Sequence, residues 1–526
     1  MLRQLPRIYL TNAEILSKDF RKVPTHQLYT KLGFINHPKQ GLVHWMPPGW
    51  NMVRKLQTII HRHMVGAGAE EVNLSLLSSA ELWNKTGRWE NNELFKLNDG
   101  ETCLAATCEE EITQLVKNQI ASYKSLPLLY YQIKEKYRDE KRPRGGLLRG
   151  REFLMKDAYS FDIDEKLAME TYNTVVNAYH GVFKELKVPY VKAEADTGDI
   201  GGSLSHEWLY LHPQGEDTVF VCKSCGTTSN MEKTFSFPQT PQDCKNVSVR
   251  YFTTKDGNTL VCAYFPSDRI LQPTLLKEEI PDIDLKNTES DKILDQFSNP
   301  ETMLNKKVVR IMDSRLTSRS HFPDFPIPFV NRSFITTLTD IPIVTAEAGE
   351  ICGSCEDGEL ECLRAIEVAH TFYLGDKYTD PLECTVQVPG PNGVTEERNL
   401  MMGCYGIGLS RIIGAIGEIC KDENGFRWPA AISPWTATVI TSGELGEDLK
   451  QTLESMNIDM CVDSRSKVGI GKKVRQSQAM GIPISIIVGN KYPQIEVNVR
   501  GVGKDEVRMV GVDELGEYVG RVLKEI

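Results

Sequence analysis

From Val53, apolar residues recur at helical spacing: Val53, Leu56, Ile60 and Met64 stand on one face, with Arg54, Lys55, Gln57 and Arg62 between them. Gly66 and Gly68 end that helix, and Val72, Leu74 and Leu76 then alternate with Asn73 and Ser75, the period of a half-buried strand. A second alternation covers residues 130–137. A polar hairpin rich in Gly and Arg, residues 141–150, separates it from a strand predicted over residues 152–159. Leu167, Val175, Tyr179, Phe183 and Leu186 mark another long helix. Residues 232–346 change texture, being rich in Thr, Ser, Asp and Pro with an acidic stretch over 277–295, and read as an inserted domain with loop-like parts. Short strands and one helix resume over residues 363–419. Past Pro434 the order is strand (438–441), helix (Leu445, Leu449, Leu453, Met456), strand, helix, strand (484–488), which predicts an independent α/β domain.

The division expected is therefore 1–231 and 347–433 as two parts of one domain, 232–346 inserted between them, and 434–526 as a C-terminal domain. A chain of 526 residues has room for roughly two to four domains. No apolar run approaches the ~20 residues of a membrane-spanning helix, so no membrane partner is expected. The formal charge of −10 argues against a protein that coats nucleic acid non-specifically, although RNA affinity needs only a local basic patch. Thirteen cysteines occur without the dense spacing of a secreted disulfide scaffold, which points to a reducing compartment. The opening MLRQLPRIYLTNAEILSK carries Arg3 and Arg7 with no acid before Glu14, as a short mitochondrial presequence does; an ordinary first strand or helix fits it equally. Neither a GxxxxGK[ST] phosphate loop nor a strand-linked GxGxxG is present, so any ATP must be cradled differently.

Two constellations carry the chemistry. In KYRDEKRPRGGLLRGREFLMKDAYSF, residues 136–161, Arg138 and Glu140 lie two apart on a predicted strand and so face the same way. A guanidinium can grip phosphate or carboxylate bidentately while a carboxylate accepts from an amino group such as that of adenine. The hairpin adds Arg142, Arg144, Arg149 and Arg151, either a ligand-binding set or a surface charge cluster. In GCYGIGLSRIIGAI, residues 403–416, Gly403, Gly406 and Gly408 precede an apolar helix predicted to open after Ser410. Arg411 stands at its start, where a cation opposes the helix dipole and suits a ligand better than a cap. A tight strand–helix packing turn is the alternative.

In this order and spacing the two segments resemble motifs 2 and 3 of class II aminoacyl-tRNA synthetases. The whole chain is similar to the bacterial-type prolyl-tRNA synthetases through AELWNKTGRW (80–89), residues 136–161, RAIEVAHTFYLGDKY (364–378), GCYGIGLSR (403–411) and DENGFRWP (422–429). The resemblance implies a mixed α/β fold: an antiparallel catalytic sheet flanked by helices, an inserted domain and a C-terminal α/β anticodon-binding domain. It implies a ligase that activates proline with ATP and Mg²⁺ and loads it onto tRNA(Pro), as a homodimer. By the same resemblance Arg138 and Arg411 are catalytic; Arg138, Glu140, Arg149, Phe153, Glu367, His370 and Arg411 bind ATP. Thr107, Glu109, Arg138, Met155, Asp157 and Phe372 bind proline, with Thr107 and Glu109 on its imino group. In DSRSKVGIGKKVRQ (463–476), Arg465 and Lys472 are the expected tRNA contacts; a solvated helix face is the alternative. A catalytically inactive relative that senses proline or tRNA is the second functional reading.

The chain also departs from its relatives. Ser75 replaces the proline usual in motif 1, and Ala106 and Cys108 replace a proline and a histidine of the proline-binding element. The insertion stands where bacterial relatives carry an editing domain, yet the expected catalytic lysine is not found in its usual context near Leu260 to Lys277, which suggests a relic. Cys222 and Cys225, with Cys352 and Cys355, form two CxxC pairs flanking the insertion; zinc, free thiols, or competition from Cys362 are all open. Cys404 reads as a small buried hydrophobe. The location expected is the mitochondrial matrix, with the cytoplasm of a bacterium as the alternative.

Overall fold

The structure is a computed structural model. It describes the whole chain except residues 1–2, 6–15, 17, 241–242, 299–305, 328–333, 391–393 and 502–503, so most of the presequence-like opening lies outside the described residues. It comprises two compact units, one of Met1–Tyr190, Ile200–Ser203 and Val368–Ile526, the other of Val191–Asp199 and Leu204–Glu367. Among the described residues no helix is long and apolar enough to cross a membrane.

The first unit is built on an antiparallel sheet. Leu128–Tyr137 pairs with Glu152–Asp162, which pairs with Met401–Gly408, which pairs in turn with the second half of Leu360–Gly375. The helix read from Val53 spans Pro47–Gly66, opened by its two prolines where missing N–H groups cost nothing, and buries Met52, Val53, Leu56, Ile60 and Met64. Helix Glu165–Glu185 packs beside it against the sheet face that carries Lys156, whose Nζ donates to Tyr179 Oη at 2.6 Å. The opposite face is left for the site. A separate six-stranded sheet, within Arg3–Gln4 and residues 437–511, buries Val439, Ile486 and Val497 against Leu449 and Val519 of its helices. Its last two strands, Gln494–Gly501 and Lys504–Gly511, and the helix Leu515–Glu525 extend the predicted alternation.

In the second unit Val191–Glu194, Leu204–Leu211, Asp217–Cys222 and Thr228–Asn230 pair with one another or with the first half of Leu360–Gly375. The inserted stretch keeps irregular parts, residues 314–327 among them, around a regular core. It forms a five-stranded sheet ordered Ile283–Asp284, Val247–Thr254, Thr259–Pro266, Lys307–Asp313, Ile335–Ile341. Thr259–Pro266 is buried on both faces: Val261 and Ala263 enter one core, Leu260, Cys262 and Tyr264 the other. Such a strand reads as an apolar run rather than an alternation, which hides it among polar neighbours.

Three expectations are corrected. Residues 72–76 are not a strand: Val72 N–H donates to Tyr131 O at 2.8 Å, but Leu74 N–H donates to the Gln132 side chain at 3.0 Å, so a side chain replaces the backbone ladder. Arg138 and Glu140 lie beyond the strand, which ends at Tyr137. Gly403, Gly406 and Gly408 lie within the strand Met401–Gly408, and the helix begins at Leu409, before Ser410.

Candidate active site

The register of the first unit's sheet gathers the predicted residues. Side chains alternate along a strand, and residues opposite one another across a ladder share a face. Phe153, Met155 and Asp157 are therefore on one face, opposite Lys136, Lys134 and Gln132. Gly406 and Gly408 extend the same rows from Asp157 and Met155, and His370 lies opposite Gly406, Phe372 opposite Cys404. The His370 and Phe372 rings stack with centroids 3.9 Å apart. A Cβ on Gly406 would find nothing nearer than Met155 Sδ at 3.8 Å, and one on Gly408 nothing nearer than Arg411 Cβ at 3.4 Å. Packing does not require glycine at either position. The floor between His370 and Asp157 is open instead. Gly403 is different: on the other face, its Cβ would sit 2.2 Å from Tyr405 Oη.

Beside this floor is a buried polar centre. Asp157 accepts from Lys136 Nζ at 2.7 Å, from Gln132 Nε2 at 2.9 Å and from Tyr159 Oη at 2.9 Å. Burial works against the Lys136 ammonium, but Asp157 outweighs it and holds the lysine's pKa above the ordinary value. Tyr159 Oη also accepts from Cys108 N–H at 2.9 Å, which fixes the residue leading into helix Glu109–Gln119. Thr107 Oγ1 donates to Glu109, and Arg88 Nη1 donates to Glu109 at 3.2 Å and to Glu110 at 3.0 Å. Burial pulls Glu109 toward the neutral acid, yet Arg88 and the Thr107 hydroxyl hold its carboxyl below the usual value. Glu110 is pushed up by burial, which with neighbouring Glu109 outweighs Arg88. Cys404 is buried in an apolar cluster, as read from the sequence, and its thiol also donates to Glu109 Oε1 at 3.1 Å.

The polar hairpin forms as expected. Arg144 and Arg149 exchange backbone hydrogen bonds of 3.0 and 3.1 Å, and the turn between them uses Gly145 and Gly146 at φ 62° and 67°, a conformation that favours glycine. Arg138 holds its guanidinium 5.3 Å from the Phe153 ring centroid. Glu140 accepts from Arg149 Nε and from Arg142 N–H, and these contacts, against burial, keep its carboxyl below the ordinary value. Arg411, third in its helix, donates from Nε to Leu148 O at 2.9 Å and so ties the hairpin tip to the strand–helix junction. Glu367 belongs to the second unit, where its N–H donates to Asp217 and a carboxylate oxygen lies within 4.8 Å of one from Glu207. Burial, and then the nearby Glu367 carboxylate, push Glu207 up to about 9.

Residues 93–420 match the model of the tRNA synthetase class II core domain (G, H, P, S and T), and residues 431–521 match the anticodon binding domain. The cytoplasmic proline–tRNA ligase of Candida albicans is 53% identical over 508 residues, covering 93% of this chain and 87% of that protein. The probable mitochondrial proline–tRNA ligase of Saccharomyces cerevisiae is 43% identical over 501 residues, covering 91% and 86%. The chain belongs to the proline–tRNA ligases. A prolyl-tRNA synthetase of Cryptosporidium parvum, solved with L-proline and AMP, superposes with a TM-score of 0.61 at 12% identity over 99% of this chain and 78% of that one, a likeness of fold alone. Nothing in these relatives supports an inactive sensor.

Within the ligase, the C-terminal basic stretch is narrower than its sequence suggests. Lys473 is buried, donating to Thr441 O and Asp463 O, and is not part of a solvated face. Arg465 makes a bidentate pair with Asp463 and bonds Gln476 at 2.6 Å. Lys467, Lys472 and Arg475 are the exposed cations. Sequence reasoning missed Arg88, Glu110, Lys136, Gln132 and Tyr159. Two adjacent acids at a helix start, Glu109 and Glu110, are a usable signal. Once both are buried, a cation must meet them.

Proposed function

We propose that the ligase binds ATP and proline on the open sheet face and joins them there. Support comes above all from the convergence of Phe153, Met155, Asp157, His370 and Phe372 on one face around a glycine floor that packing leaves free. The family resemblance assigns the roles. Proline lies with its imino cation toward Thr107 and the ionised Glu109, walled by Met155, Asp157 and Phe372. Arg138 holds the proline carboxylate and the ATP α-phosphate together. Phe153 and Arg411 cover the two faces of adenine, a stacking and cation–π arrangement. Arg149 leaves Glu140 for the distal phosphates, and Glu140 is then free to accept from the adenine amino group.

A proline carboxylate oxygen attacks the α-phosphorus in line and pyrophosphate departs with the electrons of the broken P–O bond. The terminal ribose hydroxyl of tRNA(Pro) then attacks the prolyl carbonyl carbon and AMP leaves. Negative charge grows on the α-phosphate oxygens in the first step, so a guanidinium already in place stabilises the transition state more than the ground state. Positioning supplies much of the remainder, and no side chain is assigned as general base. Within the second unit, Glu207 and Glu367 would supply hard oxygen donors of the kind Mg²⁺ prefers. When bound, Mg²⁺ neutralises phosphate charge. Arg138→Ala is expected to slow single-turnover adenylate formation at least ~10³-fold; a rate within threefold of the unmutated enzyme sinks the assignment.

In the C-terminal domain, Lys472, with Arg465 fixed at its edge by Asp463, is the proposed tRNA contact. The insertion is proposed to support folding or tRNA docking rather than editing. The domain limits expected from the sequence and a homodimer belong to the same proposal; Ser75, whose hydroxyl bonds Leu77 O in its own turn, stands in motif 1 where a proline is usual. The mitochondrial matrix is the proposed location, supported by the mitochondrial relative of Saccharomyces cerevisiae. Fusion of the first thirty residues to a reporter tests it.

A further inference from the structure

Two cysteine pairs that stand apart in the sequence, on either side of the insertion, meet in the second unit. Asp217–Cys222 pairs with the start of Leu360–Gly375, placing Cys222 opposite Leu360, and Ile351 bridges Glu359 one residue before. Each pair is carried on a tight turn. Gly226 N–H returns to Cys222 O at 3.0 Å, and Glu356 N–H to Cys352 O at 2.8 Å. The residue after each second cysteine has positive φ: Gly226 at 72° and Glu356 at 55°. Glutamate at such an angle is strained, so the turn is held by something other than its own preference. Backbone amides point at sulfur in both turns: Cys225 N–H lies 3.4 Å from Cys222 Sγ, and Gly358 N–H 3.4 Å from Cys355 Sγ. A Cβ at residue 358 would stand 2.4 Å from Cys222 Sγ, so only glycine fits beside that sulfur.

The four sulfurs all lie within 4.8 Å of one another, and Cys222 Sγ is 3.6 Å from Cys355 Sγ. A tetrahedral ion with zinc–sulfur bonds of about 2.3 Å has sulfur–sulfur edges of about 3.8 Å. A disulfide would need about 2.05 Å. Cys362, the other candidate, lies outside the cluster. We propose that Cys222, Cys225, Cys352 and Cys355 bind one structural Zn²⁺ ion, tying together the two strands by which the chain enters and leaves the inserted sheet. Four thiolates fill a tetrahedral shell and leave no position for substrate, so the ion has no part in the chemistry. Phe220, Ala346 and Leu360 pack beneath the cluster and exclude water from one side. Cys225 is exposed on the other, which gives the ion a route in.

The test is the metal content of the full-length enzyme, purified without added metal and dialysed against EDTA. One zinc per chain is expected, released in step with mercurial titration of four thiols. Replacing it with cobalt(II) should give the visible bands of a tetrahedral thiolate site. Cys225→Ser with Cys355→Ser should abolish binding while proline-dependent pyrophosphate exchange persists; should that variant fail to fold, the stoichiometry and the cobalt spectrum of the unmutated chain decide. Less than one-tenth equivalent of zinc, iron in its place, or a mass two hydrogens short from a disulfide overturns the proposal.

Discussion

Arg88 and Arg149 lie in the same unit and each meets a glutamate proposed to touch substrate, yet they are held in opposite ways. Arg88 is 8% exposed, with its guanidinium 4.7 Å from the Trp83 ring and 5.5 Å from the Tyr378 ring, and it bonds two buried glutamates. Arg149 stands exposed on a glycine hairpin and meets Glu140 across a partly solvated gap. The desolvation of Arg88 is already compensated by Glu109 and Glu110, and it has nowhere to move. A fixed charge suits a ligand whose own charge never changes, such as the imino group proposed to lie at Glu109. A pair exposed on its arginine side is held less firmly than a fully buried one, a solvent-exposed pair being worth only ~0–1 kcal/mol. That suits a group which must take up phosphates and then release them as pyrophosphate.

Breaking the fixed side should have the largest effect. Arg88→Met leaves Glu109 and Glu110 buried without their cation and should cost ~3–5 kcal/mol in denaturant unfolding, whereas Arg149→Ala should cost less than ~0.5 kcal/mol. Equal costs would erase the distinction. Asp162 sharpens it, as a carboxyl 1% exposed whose side chain accepts from the Thr171 hydroxyl, with no cation among the groups acting on its pKa. Burial, opposed by Thr171 and aided by Asp164 and Glu170, raises it from 3.8 to about 6. The folded chain thus keeps a proton that the unfolded chain loses between those values. Stability from this group is full below that window and falls as pH rises through 6. Asp162→Asn should therefore gain ~1–3 kcal/mol at pH 7, the gain vanishing toward pH 4. A constant difference across that range would contradict the assignment.

The mobile side predicts smaller, selective changes. Arg149→Ala should raise the KM for ATP ~10-fold, about 1.4 kcal/mol, and leave the KM for proline unchanged. A matching rise for proline would place Arg149 elsewhere. Lys472→Ala should lower tRNA charging only ~2–5-fold, more at low salt, and spare pyrophosphate exchange. Loss of both activities together would remove its RNA role.

The candidate site residues were named through the family resemblance. What the sequence itself carried was the strand over residues 152–159, whose period of two puts Phe153, Met155 and Asp157 on one side. The helix from Pro47 and the glycine hairpin were legible for equally local reasons. What escaped depends on partners distant in the chain. Nothing near residue 88 says that its guanidinium meets Glu109 and Glu110, and nothing near Leu74 says that Gln132 will replace a strand. Lys473 reads as a surface cation until the carbonyls of Thr441 and Asp463 are seen to receive it. The sheet of the insertion was hidden because its central strand is buried on both faces. The four cysteines read as two pairs on either side of the insertion because the topology, not the spacing, joins them.

The most direct test is ATP–pyrophosphate exchange by the full chain, supplied with magnesium, against each of the twenty amino acids. Exchange that depends on proline, with at most weak activity for alanine, is the result predicted. No exchange with any amino acid from folded protein would contradict the account and leave a binding protein in place of an enzyme.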